Sequence, residues 1–207
     1  MTNDFSKIYW EKIYSSEIIH YPDYDGWLDK YFNDLQNANK IVDLGCGNGV
    51  NTLYLHEKNI NVIACDFSEC ALCQLKERLS DTIVMHFDMT KGIPIDDTSI
   101  DIVIADLSIH YFSWNTTKYL VSEIFRILNE NGLLLCRINS IKEYQANDND
   151  EMIEENYYFN GENYKRFFTK NDIKLLFSNY DIYYISEGIT NKYGKIKHLW
   201  EVAVKAK

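Results

Sequence analysis

The sequence has no apolar run close to the roughly 20 residues that a membrane span needs. Its first stretch, MTNDFSKIYWEKIYSSEIIHY, is broken by charges every few residues and does not read as a signal peptide. A cytoplasmic protein with no membrane partner is the expectation. Basic charge is also scarce: 21 Lys and Arg stand against 31 Asp and Glu, a formal net charge of −10. A surface of that sign repels phosphate backbones, so no nucleic-acid partner is expected beyond what a local basic patch would hold. The five cysteines are an odd number and fall inside expected strands and helices, which argues for reduced thiols rather than a disulfide framework. Cys70 and Cys73 form a lone C-x-x-C with no partner pair, so they read as small apolar packing residues. Two prolines are set against 16 Tyr, 10 Phe and 4 Trp, and those aromatics must line a core or a pocket. The chain is long enough to bury a full core, and its length fits one domain over 1–207.

Apolar runs and helical periods alternate from Lys40 onward. Strands are expected at 40–44, 60–66, 82–88, 99–107 and 132–139, with helices at 50–58, 68–80 and 115–129. Gly132 is read as the cap of the last of these helices. Continuous apolar strands separated by helices imply a parallel sheet covered on both faces. A Thr-x-x-Asp cap opens a helix at Thr169, and two strand-like runs, 181–188 and 196–205, follow with a short turn between them. A short connection joins antiparallel strands. The expected fold is therefore α/β: a doubly wound, mostly parallel seven-stranded sheet with an antiparallel C-terminal hairpin strand. Four segments make up the expected domain: an aromatic-rich helical piece at 1–38, a core at 40–139, a polar insertion at 140–168, and the helix and hairpin at 169–207.

The sequence IVDLGCGNGV, from Ile41 to Val50, ends a strand in an acid and places Gly45, Gly47 and Gly49 at alternate positions. In a parallel α/β sheet ligands bind beyond the C-terminal strand ends, beside the first strand. Glycines there let a ligand touch backbone, and the helix that follows favours negative charge at its start. A dinucleotide fingerprint needs glycine where Val50 stands, so that reading fails.

Asp43-x-Gly45-x-Gly47-x-Gly49 resembles the cofactor loop of the class I S-adenosylmethionine-dependent methyltransferases, and the likeness extends through residues 40–139. The resemblance implies S-adenosyl-L-methionine as cofactor and S-adenosyl-L-homocysteine as product. It implies cofactor contacts at Asp43, Gly45, Cys46, Gly47 and Gly49, with Asp66 on the ribose hydroxyls and Phe67 and Ser68 beside it. It also places Asp88 and Met89 on the adenine, and Asp106 and Leu107 between cofactor and substrate. Each strand-end acid has a plainer reading as a helix cap. The run IFRILNENGLLL resembles the family's R-x-L-x-x-G-G, with Asn131 in place of the first glycine. A metal-dependent branch, resembling catechol O-methyltransferases, needs acid and amide ligands after the fifth strand. Asp106 would serve before it but only Asn-Ser follows, so no metal is expected.

The substrate side is less marked. His110, among Tyr111, Phe112 and Trp114, is the candidate general base, with a packed neutral histidine as the alternative. Tyr9, Trp10, Tyr14 and Tyr21 form either a lid or the apolar face of a helix. Tyr111 joins them as a candidate substrate contact. Arg137 and Arg166 would grip an anionic substrate group, although Arg166 has the acids Glu151, Glu154 and Glu155 for an ion pair. A small-molecule methyl acceptor is the expected substrate, with a monomer or homodimer as the assembly. Methylation of protein or RNA, or cofactor binding without turnover, are the alternatives.

Overall fold

The computed structural model describes residues 2–15, 24–192 and 195–207. Tyr21 lies outside the described residues. The chain runs from α1 (Thr2–Ser15) and α2 (Phe32–Asn37) into β1 (Ile41–Leu44), α3 (Val50–Glu57), β2 (Ile63–Asp66), α4 (Glu69–Arg78) and β3 (Ile83–His86). It continues through β4 (Ile100–Asp106), α5 (Trp114–Ile127) and β5 (Leu128–Asn139). Three short strands follow, β6 (Glu151–Glu154), β7 (Tyr157–Phe159) and β8 (Tyr164–Arg166), and then α6 (Lys170–Leu176), β9 (Asp181–Lys192) and β10 (Lys195–Lys205).

The main sheet has seven strands in the order β3-β2-β1-β4-β5-β10-β9. Strands β1 to β5 are parallel, and β10 runs antiparallel to both β5 and β9. The expected doubly wound sheet with an antiparallel hairpin strand is what forms. Alternation along β1 explains the two layers, since neighbouring side chains point to opposite faces. Val42 and Leu44 join the core formed with Leu120, Ile124 and Ile127 of α5 and Ile173 of α6. Ile41 joins the opposite core with Leu35 of α2 and Leu55 of α3. Strand order reverses beside β1, so the crevice lies beyond its C-terminal end.

Two expectations are corrected. Helix α5 ends at Ile127 with Leu128 as its C-cap, so Gly132 caps nothing. Asn131 takes the left-handed turn (φ 61°), and a Cβ on Gly132 would stand 2.8 Å from the Asn129 carbonyl oxygen. The strand β5 starts at once and bulges, so that Ile100 and Ile102 of β4 pair with Leu128 and Leu133. The hairpin strands are also longer than expected, reaching Lys192 and starting again at Lys195.

The insertion folds as an antiparallel three-stranded sheet, β6-β7-β8. It braces the turn after β4: the Tyr157 hydroxyl donates to the Tyr111 carbonyl at 3.1 Å, and Arg166 Nε donates to the Phe112 carbonyl at 3.1 Å. Helix α1 bridges the insertion and α4. Ser6 Oγ donates to Asn163 Oδ1 at 2.8 Å, and Gln74 Nε2 donates to the Tyr14 carbonyl at 2.6 Å.

Candidate active site

The loop from β1 to α3 has no room for side chains at two of its glycines. Gly45 (φ 74°) is pressed against Ser108, whose Cβ would lie 2.4 Å from an added methyl group. Gly47 (φ 54°) receives the hydroxyl of Tyr14, 2.3 Å from where its Cβ would be. Both conformations are left-handed, which glycine adopts without steric cost. The loop is tied to β2: Gly45 and Cys46 amides donate to the Cys65 carbonyl at 2.7 and 3.0 Å, and the Gly47 amide donates to Asp66 Oδ2 at 2.8 Å.

An open cleft lies above this loop. One wall consists of Gly45, Cys46, Gly47, Asp66 and Phe67, continued by Asp88 and Met89 after β3. Burial raises the Asp66 carboxyl, against the lowering effect of the Ser68 and Gly47 amides. Both of its oxygens accept from these backbone donors, and each carboxylate oxygen keeps a further lone pair. Asp88 Oδ1 is engaged by the amide and hydroxyl of Thr90 at 3.0 and 2.6 Å. The Cys46 thiol lies far above its ordinary range through burial and the nearby Asp66 and Asp43, so it stays protonated.

Asp106 and Leu107 continue the cleft after β4. Asp106 is held bidentately by Arg137, at 2.8 and 2.9 Å, and also by Lys192. Burial alone would raise its carboxyl; the two cations outweigh that and hold it well below the usual carboxylate range. Beyond it stand Ser108, His110 and Tyr111, with Lys192 and Lys197 reaching in from the hairpin. His110 is buried and held neutral, first by desolvation and then by the charges of Lys197 and Lys165. Its Nδ1 and the Ser108 Oγ are buried in the cleft wall without a hydrogen-bond partner among the described residues. Such atoms are costly unless a ligand or solvent satisfies them. Helix α1 closes the cleft with Ser6, Lys7, Trp10 and Tyr14. Trp10 stacks on Tyr14 at 5.7 Å and meets Tyr111 edge-on at 5.4 Å.

Residues 42–136 match the family model described as a methyltransferase domain. That match covers a little under half of the chain. It is similar to YqeM of Bacillus subtilis (strain 168), provisionally named as a methyltransferase, at 28% identity over 132 residues, or 62% of this chain and 53% of that protein. The chain thus spans about half the length of that relative. A SAM-dependent methyltransferase structure from Methanosarcina mazei superposes with a TM-score of 0.74 at 18% identity, covering 85% of this chain and 96% of that one. A S-adenosylmethionine-dependent methyltransferase from Clostridium acetobutylicum ATCC 824 gives 0.68 at 20% identity over 98% of each chain. At these identities the two structures establish the fold.

Several residues singled out from sequence lie off the cleft. Asp43 is buried behind the loop, where it accepts from Thr52 Oγ1 at 2.7 Å, and burial pushes its carboxyl up to about 7. Gly49 makes room for Leu75, 2.4 Å from where its Cβ would stand. Ser68 is fully buried and caps α4, accepting from the Ala71 amide. Tyr9 packs edge-on against Trp10 and does not reach the cleft wall.

Neither arginine reaches the cleft, and for Arg166 the ion-pair alternative with Glu154 is what forms. Arg137 is buried, pairs with Asp106 and with Asp25 at 2.6 Å, and stacks over Trp27, so it is committed to the fold. Arg166 is buried too; it pairs with Glu154, donates to the Glu155 and Phe112 carbonyls, and lies over Tyr157. It holds the turn carrying His110 and does not touch the cleft. Sequence reasoning missed Ser6, Lys7, Ser108, Lys192 and Lys197. Ser108 was adjacent to the motif already singled out, and Lys192 and Lys197 enter through hairpin geometry that no local pattern reveals.

Proposed function

We propose that this protein is an S-adenosylmethionine-dependent methyltransferase acting on a small molecule, and that it works in the cytoplasm as one domain. The observation that carries the reading is the cleft at the switch point. A side-chain-free loop, Gly45 to Gly47, faces strand-end carboxylates at Asp66 and Asp88. The residues fit the cofactor. Gly45 and Gly47 bring bare backbone to the cleft wall, with the Tyr14 hydroxyl against Gly47, and Asp66 keeps lone pairs for two ribose hydroxyls. Phe67 and Met89 offer apolar surface to the adenine, and Asp88 an acceptor to its amino group.

When bound, S-adenosylmethionine supplies an activated methyl group on a sulfonium centre. The chain's part is to bind, orient and exclude water, which is worth roughly 7–11 kcal/mol for well-placed reactants. Trp10, Tyr14 and Tyr111 cover the cleft and remove solvent from it. His110, neutral and with an unpartnered Nδ1, can accept a proton from an acceptor that arrives protonated. The deciding experiment is calorimetry with S-adenosylhomocysteine and with NAD(H), followed by transfer of labelled methyl groups to a panel of small amines, thiols, phenols and acids. Saturable binding of S-adenosylhomocysteine and none of NAD(H) is expected; tighter NAD(H) binding would overturn the reading.

A further inference from the structure

The cleft has ends of opposite sign, although the chain as a whole is acidic. Strand β5 ends at Asn139, which pairs with Leu199 of β10, so Lys197 stands two residues beyond that end. Lys192 pairs with Lys195 and Thr190 with Lys197 across the hairpin. Directly paired residues and alternate residues share a face, so Lys192, Lys195 and Lys197 project together. Two of them, Lys192 and Lys197, line the cleft. Lys7 lines it from α1, and Lys165 of β8 stands near enough to bear on His110.

These cations differ in what they do. Lys192 is committed to Asp106. Lys197 forms no ion pair within 4.0 Å and no side-chain hydrogen bond among the described residues, although it lines the cleft and is half-buried. Its pKa falls through that burial and through repulsion by Lys165, Lys192 and Lys195. The acid that bears on both Lys197 and Lys165 is Glu143, with Asp150 and Glu162 also bearing on Lys165; Glu143 Oε2 accepts from the His198 amide at 2.7 Å, and Glu143 forms no ion pair with Lys197 or Lys165 among the described residues. Gathering half-buried like charges costs folding energy and gives nothing back unless an anion joins them. Beside them, His110 Nδ1 and Ser108 Oγ are buried without partners.

We propose that the methyl acceptor carries an oxyanion, a carboxylate or a phosphate, which docks on Lys197 at the hairpin end of the cleft and sets the acceptor atom beside His110 and Ser108. The proposal rests on the methyltransferase reading and adds to it the charge of the substrate. The opposite end of the cleft, with Asp66 and Asp88, is left for the cationic cofactor.

The test is titration of the protein, saturated with S-adenosylhomocysteine, by benzoate, phenyl phosphate and benzamide, followed by calorimetry. At least one anion should bind ten times or more tightly than neutral benzamide, and which anion does so identifies the headgroup. Lys197→Met should abolish that preference and Lys197→Arg should keep it. Lys205→Met, which removes one charge from the far end of the same strand, should leave it unchanged. Equal binding of benzamide and both anions by the wild type would overturn the proposal without any variant, as would a Lys197→Met protein that keeps the preference. S-adenosylhomocysteine binding is measured first and separately. Its absence would remove the methyltransferase reading itself, whereas its presence without anion preference would remove only the substrate charge.

Discussion

Replacing Gly47 by alanine tests whether the glycine loop and the α1 cover are one mechanical unit. Two costs follow from the coordinates. The backbone at 47 is left-handed (φ 54°), which costs an L-residue about 1–2 kcal/mol. The new Cβ would also lie 2.3 Å from the Tyr14 hydroxyl, roughly 1 Å inside normal contact. The loop cannot retreat, because its amides are fixed to the Cys65 carbonyl and Asp66. Tyr14 must move instead, and it is stacked on Trp10, while its carbonyl accepts from Gln74. The strain should lower the melting temperature by about 2–4 °C per kcal/mol in a chain of this size. The clash should appear as faster amide exchange along Thr2–Ser15, and S-adenosylhomocysteine should bind more weakly. In a Tyr14→Ala background the clash is absent, so Gly47→Ala should cost only the backbone strain. The double-mutant cycle then reads the coupling directly. If Gly47→Ala costs the same with and without Tyr14, and exchange in α1 is unchanged, the glycine does not seat the cover and the reasoning fails.

Asp66→Ala should weaken S-adenosylhomocysteine binding by about 1.5–3 kcal/mol, the worth of charged hydrogen bonds, and calorimetry checks it. Asp106→Asn leaves Lys192 and Arg137 with one fewer buried anion and should destabilise the fold by about 3–5 kcal/mol in denaturant titration. Because the folded carboxyl lies below its unfolded value of about 3.9, the wild type should lose this stabilisation as pH falls below about 4 towards the depressed folded value, and Asp106→Asn should lack that acid limb. His110 has the opposite charge type and a lowered pKa, so the unfolded chain takes up a proton first. Wild-type stability should drop as pH falls below about 6.5, and His110→Asn should flatten that slope in denaturant midpoints measured from pH 7.5 to 5.5.

The parallel core was legible because its strands are fully buried and so read as unbroken apolar runs between helical periods. Val42 and Leu44 illustrate it: both faces of β1 are covered, and the sequence alternation that half-buried strands show is missing. The short strands β6 to β8 were not legible. Each has three or four residues and pairs only locally, and β6 and β8 carry charge, so the run resembles a loop. The cofactor end of the cleft was legible because strand ends fix it. Arg137 misled because its partner is remote: it meets Asp25, 112 residues away, and a strand-end arginine looks available until that partner is placed. Lys197 was invisible for the converse reason. Its role depends on how far β10 overshoots β5, which is a register and not a pattern.

Asp106 is the boundary between the two halves of the cleft. Taken alone it would add to the acidic end, with Asp66 and Asp88. Arg137 and Lys192 neutralise it, and Asn51 Nδ2 at the start of α3 reaches its Oδ2 at 3.5 Å. The carboxylate therefore joins β4, β5, α3 and the hairpin at one point. Lys192 is fixed by this contact, and with it the end of β9, which pairs with the part of β10 that carries Lys197 over the cleft. An unpaired acid at this position would oppose any anion brought to Lys197; a paired one removes that opposition and holds the lysine-bearing strands in place. The same arrangement keeps the negative charge of Asp66 and Asp88 on the far side, where a cation is to be bound. Charge separation across the cleft follows from one buried ion cluster rather than from the net charge of the chain, which is why composition alone pointed away from an anionic ligand.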